Sequence, residues 1–188
     1  MNRLIGLYSS APQSGKSSIA SHLATLGFHT VSFASPLKTM VRAFLAEAGI
    51  PAAYIDELLT TRKEELITEF GVSSRHLMQT LGTEWGRQCV CPDVWVKCWR
   101  RRVQRLRTSG FDVVCDDVRF PNEAETIRSL GGELWCVKRP GTERGTTHAS
   151  EGSLDDLVFD RQLDNSGRLT DLHVAVRQAL TVSTPVAS

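Results

Sequence analysis

The chain has 188 residues, 41% of them hydrophobic and 23% charged. That is the composition of one compact globular domain, and it excludes collagenous, coiled-coil and wholly disordered chains. Lys and Arg number 22 against 21 Asp and Glu, a net charge of +1, so overall charge gives no pull toward nucleic acid or an anionic membrane.

The first predicted strand is Leu4–Tyr8. It runs through Ser10–Ser17 into a helix where Ile19, Leu23 and Leu26 recur at helical spacing and Gly27 ends the run. A second strand is expected over Thr30–Phe33, followed by a helix carrying Leu37, Met40, Val41, Phe44, Leu45 and Ala48 and ended by Gly49 and Pro51. From Pro36 to roughly Arg107 the pattern stays helical with no convincing strand. A crossover needs about a dozen residues, so this stretch reads as a helical insertion beside the sheet. Strands resume at Phe111–Cys115, Leu134–Val137 and, more weakly, Arg161–Leu163; a helix marked by Ala124, Ile127 and Leu130 and ended by Gly131-Gly132 precedes Leu134. The small, polar Val182–Ser188 is expected to be a flexible tail. Near-continuous apolar strands alternating with helices predict an α/β fold on a parallel sheet with right-handed crossovers.

The most informative segment is Ser10-Ala11-Pro12-Gln13-Ser14-Gly15-Lys16-Ser17. It fits the phosphate-loop pattern G-x-x-x-x-G-K-[ST], with Ser10 in place of the first glycine. Gly15 lets the backbone approach a phosphate, and successive N–H groups at a helix N-terminus face the anion. Lys16 supplies positive charge for the β- and γ-phosphates, and the Ser17 hydroxyl can ligate Mg²⁺. The strand Phe111–Cys115 runs into Asp116, where a carboxylate can hold the same Mg²⁺ through water. No Asn-Lys-x-Asp guanine motif is present, which disfavours a GTPase.

Six of the eleven residues of Lys97–Arg107 are basic, but Trp95, Trp99, Val103 and Leu106 share one helical face, so the charges read as the solvated side. Trp85, Trp95 and Trp99 are expected as core anchors, with Trp95 also open as a residue near an acceptor. The five cysteines are odd in number and lack C-x-x-C spacing; they are expected as reduced thiols, mostly packing residues. No apolar run is long enough to span a membrane and Met1–Leu7 does not read as a signal peptide, so a cytoplasmic setting is expected.

Several blocks carry a family resemblance. Arg75-His76-Leu77-Met78-Gln79-Thr80-Leu81-Gly82-Thr83-Glu84-Trp85-Gly86-Arg87 followed by Asp93-Val94-Trp95 resembles the insertion signature of bacteriophage-type deoxynucleoside monophosphate kinases. So do Phe33–Lys38, Asp116-Asp117-Val118-Arg119-Phe120-Pro121-Asn122-Glu123-Ala124, and Arg139-Pro140 followed by His148–Glu151. The blocks occur in family order and cover most of the chain from Leu4 to Leu180.

The resemblance implies transfer of the γ-phosphoryl of ATP to a deoxynucleoside 5′-monophosphate, with Mg²⁺, in nucleotide supply for viral DNA replication. It implies a single phosphate-loop kinase domain over residues 1–181, a three-layer fold on a five-stranded parallel sheet in order 2-3-1-4-5. A monophosphate-binding helical insertion at about 36–108 and a lid at about 139–152 belong to it. Its implied donor residues are Gln13, Ser14, Gly15, Lys16, Ser17, Ser18, Arg139 and Asn165, the last in a loop near adenine. Arg144 is a further lid candidate, and His148, Ser150 and Glu151 fit either the family's lid or a hinge and cap. Its implied acceptor residues are Lys38, Arg75, Gln79, Asp117, Arg119 and Asn122. Lys16, Arg75, Arg119 and Arg139 would stabilise charge on the transferring phosphoryl group, because guanidinium forks grip phosphate at two points. Asp117 reads as a positioning residue or as a base, and Gln79 as a reader of a base edge or an exposed helix residue. The host bacterial cytoplasm and a homodimer follow from the same resemblance, and no stable binding to nucleic acid or membrane is expected. Two alternatives stand beside it: another small-molecule kinase such as a dephospho-coenzyme A kinase-like enzyme, and an ATP-dependent nucleic-acid-binding module.

Overall fold

The computed structural model describes residues 2–141 and 154–181. Arg144, His148, Ser150 and Glu151, most of the expected lid and the tail from Val182 lie outside the described residues. The chain divides into two compact units, Met1–Ser32 with Trp99–Ser188, and Phe33–Cys98.

The first unit is built on a five-stranded parallel sheet of β1 (Leu4–Tyr8), β2 (Phe28–Thr30), β5 (Asp112–Cys115), β6 (Glu133–Lys138) and β7 (Arg161–Asp164), in spatial order β2-β5-β1-β6-β7. Counted along the chain within this sheet, the order is 2-3-1-4-5, as the resemblance implies. All five residues of β1 are buried, as suits a central strand covered on both faces. Helices α1 (Lys16–Thr25), α6 (Pro121–Ser129) and α7 (Leu169–Thr181) flank the sheet. One continuous core joins Ile5 and Leu7 of β1, Ile19 and Leu23 of α1, Trp135 and Val137 of β6 and Leu172 and Val176 of α7.

The second strand departs from expectation. It covers Phe28–Thr30, with Thr30 opposite Val114, and one more ladder bond runs from Val31 N–H to Val114 O at 2.9 Å. Val31 and Phe33 are apolar because they are buried in irregular chain: the Val31 carbonyl accepts from Trp99 Nε1–H at 2.7 Å, so the chain leaves the ladder there.

The second unit contains α2 (Ser35–Glu47), α3 (Ala52–Thr60), α4 (Ser74–Thr80) and a π-helical segment, Leu81–Val90. It also contains a small antiparallel hairpin, β3 (Leu66–Ile67) with β4 (Val72–Ser73), which corrects the expectation of a strand-free insertion. Strands of two residues are too short to print an alternation. Val41, Leu45, Ile50, Ile55, Leu58, Leu59 and Ile67 form its own core.

The π segment is held by a tryptophan. Trp95 Nε1–H donates to Gly82 O at 2.8 Å, and a Cβ on Gly86 would come within 2.3 Å of Trp95 Cζ2. The indole therefore lies flush on the π turn, and only glycine leaves it room. Trp95 and Trp99 are 4% and 1% exposed, but Trp85 is 46% exposed and is not a core anchor. Helix α5 (Val94–Thr108) buries Trp99 and Val103 and exposes Arg100, Arg101, Arg102 and Arg105, the solvated face expected of them. Cys115 and Cys136 are buried packing residues, whereas Cys89 and Cys98 are exposed and Cys91 half-buried, so fewer thiols pack than the sequence suggests. Among the described residues no helix is long and apolar enough to cross a membrane.

Candidate active site

The loop between β1 and α1 has the backbone of an anion cradle. Gln13 and Gly15 have positive φ, 54° and 105°, and Gly15 caps α1. Ser10 is not among the residues with positive φ, so the first motif position makes no demand that only glycine could meet. A cleft over the loop is lined by Gln13, Ser14, Gly15, Lys16, Ser17 and Ser18, together with Arg139, Asn165, Gly167, Leu169 and Leu172. Arg139 follows β6 and Asn165 follows β7, so the C-terminal ends of two parallel strands bring them to the loop, where open α/β sheets bind ligands.

Lys16 reaches Ser14 Oγ at 3.3 Å. Burial pushes its ammonium below the ordinary lysine value; the positive charge of Arg119 adds to this, and Asp116 and Asp117 oppose it. Lys16 opens α1, and Asp116, Asp117 and Arg119 all follow β5. Asp116 accepts from the Ser32 hydroxyl at 2.6 Å through Oδ1. That contact is a feature sequence reasoning missed; its only trace is a serine just past the second strand. Asp117 Oδ1 lies 3.3 Å from the Cys115 thiol.

Glu123 is 2% exposed, and its Oε2 accepts from the backbone N–H groups of Arg119 and Phe120 at 2.8 and 3.1 Å. The carboxylate thereby caps α6 and fixes the turn that carries Arg119, which itself is exposed. Asn122 lies in the first turn of α6, its carbonyl accepting from Thr126 Oγ1 at 2.7 Å.

Lys38, Arg75 and Gln79 belong to the second unit. Lys38 is exposed in the first turn of α2, and Arg75 and Gln79 are exposed one turn apart on α4. Arg75 forms an ion pair with Glu64, and its backbone N–H donates to Lys63 O at 3.0 Å. Ser73 caps α4 by accepting from His76 N–H at 3.2 Å, which sets the turn bearing Arg75.

Among the described residues no group of three or more His, Cys, Asp or Glu is arranged to hold a metal. Ser17 and Asp116 are hard oxygen donors, and Ser32 occupies only one oxygen of Asp116. That donor set fits Mg²⁺, which keeps waters and substrate phosphates as its remaining ligands.

The fold is that of a phosphate-loop kinase. A dephospho-CoA kinase from Campylobacter jejuni superposes with TM-score 0.54 over 95% of this chain and 96% of that one, at 12% identity. The sequence is more specific. A protein of Acanthamoeba polyphaga mimivirus, provisionally named a deoxynucleotide monophosphate kinase, is 33% identical over 186 residues, covering 90% of this chain and 92% of its own. The deoxynucleotide monophosphate kinase of Escherichia phage RB69 is 33% identical over 109 residues, 57% of this chain but 45% of the phage protein. The profile of the family described as deoxynucleotide monophosphate kinase matches residues 45–176, beginning downstream of the phosphate loop. Loop geometry and family match thus rest on different residues and agree, and the chain belongs to the deoxynucleotide monophosphate kinase family.

Proposed function

We propose that this chain transfers the γ-phosphoryl group of ATP to the phosphate of a deoxynucleoside 5′-monophosphate, giving the diphosphate and ADP. The observation that carries the reading is the family match across residues 45–176 downstream of a loop with phosphate-binding backbone. Phosphoryl transfer asks for positioning and positive charge more than for covalent chemistry, because negative charge spreads over the transferring oxygens.

In this reading the N–H groups of Ser14, Gly15 and Lys16 and the Lys16 ammonium bind the donor phosphates. Ser18, in the first turn of α1, and Gln13 border the same phosphates. Arg139, at the rim of that cleft, neutralises charge that develops during transfer. Ser17 and Asp116, the latter through water, would hold Mg²⁺; when bound, the ion screens the β- and γ-phosphates and orients them for in-line attack. Arg75 and Arg119 grip the acceptor phosphate, Lys38 and Asn122 border it, and Gln79 and Asp117 orient the nucleoside. A phosphate already ionised near pH 7 needs little deprotonation, which favours Asp117 as a positioning group over a base.

The alternative as a dephospho-coenzyme A kinase draws on likeness of fold at 12% identity, which says nothing of the acceptor. A coupled ADP-release assay with ATP and Mg²⁺ across the common dNMPs and NMPs, dephospho-coenzyme A and DNA tests the reading. Turnover with at least one dNMP is expected. Turnover with dephospho-coenzyme A alone, or ATPase activity stimulated by DNA and indifferent to monophosphates, would overturn it.

A further inference from the structure

Three successive carbonyls of the phosphate loop are each held by a group outside it. Gln13 O accepts from Arg139 Nη1 at 3.2 Å, Ser14 O from Asn165 Nδ2 at 2.9 Å, and Gly15 O from Ile19 N–H at 3.0 Å. In a planar trans peptide the C=O of one residue and the N–H of the next point in opposite directions. The N–H groups of Ser14, Gly15 and Lys16 are therefore aimed away from the three holders. Successive N–H groups so arranged make a concavity for an anion.

The middle holder is the informative one. Asn165 continues the β6–β7 ladder, its backbone N–H donating to Lys138 O at 2.7 Å, so its side chain hangs from the sheet. A Cβ on Gly15 would lie 2.4 Å from Asn165 Nδ2. Glycine at this position thus serves two ends: it adopts a φ of 105°, and it lets the amide reach the Ser14 carbonyl. One of the two N–H donors of the Asn165 amide is engaged with the loop.

We propose that Asn165 is a positioning residue of the phosphate loop: its amide, clamped to the sheet, fixes the Ser14–Gly15 peptide plane so that the Gly15 N–H faces the donor's phosphates. What Asn165 serves is the polyphosphate, whatever base is attached to it. The role rests on the nucleotide-binding reading of the loop and is independent of which monophosphate accepts the phosphoryl group.

The test measures binding of ATP, GTP and inorganic tripolyphosphate by titration calorimetry to the wild type, Asn165→Ala and Asn165→Asp, with steady-state KM values for ATP and acceptor. Asn165→Ala removes one hydrogen bond and is expected to weaken all three ligands by a similar factor, roughly three- to ten-fold. The KM for ATP should rise with that factor and the KM for the acceptor should stay within two-fold. Asn165→Asp keeps the shape of the side chain but has no donor and sets a carboxylate against the Ser14 carbonyl; it is expected to bind all three more weakly than Asn165→Ala. A loss confined to ATP would make Asn165 an adenine contact and overturn the proposal. So would unchanged binding in Asn165→Asp, whose isosteric side chain keeps the result readable if Asn165→Ala folds poorly. Binding is read without an acceptor, so a wild type that phosphorylates no dNMP would overturn the proposed function alone, and the binding ratios would still decide the clamp.

Discussion

Ser32 donates its hydroxyl to Asp116 Oδ1 at 2.6 Å, joining two residues 84 positions apart at the ends of adjacent strands β2 and β5. A short hydrogen bond to a carboxylate fixes its rotamer, and the residues that orient a metal's ligands tune the ion's affinity as the ligands themselves do. Ser32→Ala is expected to raise the Mg²⁺ concentration for half-maximal activity roughly three- to ten-fold, with ATP binding in EDTA unchanged. A Mg²⁺ titration of the kinase rate is the measurement; an unaltered midpoint would detach Asp116 from the metal.

Lys16 is the loop's mobile charge; its Nζ lies 3.3 Å from Ser14 Oγ, and the charges of Asp116 and Asp117 favour its ammonium form. Lys16→Ala is expected to lower kcat by roughly a hundred-fold or more, because the charge it supplies grows in value as the phosphoryl group departs. Its circular dichroism spectrum should match the wild type. Near-normal turnover would contradict the assignment of the loop.

Much of this machinery is written locally and could be read. The strand, the loop and the helix are consecutive, so the Gly15-Lys16-Ser17 spacing carries its own context, and β1 begins and ends where its apolar run does. What escaped reading depends on partners far along the chain. Thr30–Phe33 looks like strand because Val31 and Phe33 are apolar, yet the Val31 carbonyl is held by Trp99, 68 residues away. Asn165 is 151 residues from the carbonyl it holds, and nothing in the neighbouring sequence announces that partner. Trp85 and Trp95 are alike on paper; only the fit of Trp95 against Gly86 decides which is buried, and Trp85 is left at the surface.

Arg75 is paired with Glu64 in the second unit, both side chains being about half exposed or more, 49% and 71%. An exposed pair of this kind contributes little and yields readily to a dianion. Arg75→Ala is expected to raise the KM for the monophosphate roughly ten-fold or more while the KM for ATP stays put. Glu64→Gln should act in the opposite sense, lowering the monophosphate KM about two-fold by removing a competitor. A collapse of ATP affinity in Arg75→Ala would move this residue to the donor side.

Two glycines of the π segment give a sharp contrast. A Cβ at Gly86 meets the rigid Trp95 ring at 2.3 Å, whereas one at Gly82 meets the tip of Leu37 at 3.3 Å. Overpacking against a ring that is also hydrogen-bonded is expected to cost Gly86→Ala about 1–3 kcal/mol, roughly 3–10 °C in Tm. Leu37 can shift by a few tenths of an ångström, so Gly82→Ala should fall within about 2 °C of the wild type. Thermal unfolding of the two variants side by side checks the packing; equal Tm values would refute the Trp95 contact.

His22 on α1 stacks on His173 of α7, ring centroids 4.0 Å apart and planes 6° from parallel. Burial holds the His22 imidazole below its ordinary value of 6.5, and the positive charges available to His173 and Arg177 add to the effect. Its Nε2 is buried and has no hydrogen-bond partner among the described residues, so a proton there would find no acceptor. The folded value is lower than the unfolded one, so between the two the unfolded chain binds more protons and stability rises with pH. The contribution of keeping the His22 imidazole neutral is therefore complete above about pH 6.5 and is lost as pH falls through the folded value. Tm of the wild type is expected to drop more steeply between pH 7 and 5.5 than that of His22→Gln, which cannot titrate. His173→Gln removes the charge of the neighbour but leaves the burial that is the larger cause, so its curve should lie between the two. Parallel curves for all three proteins across that interval would exclude the His22–His173 stack as a source of pH-dependent stability.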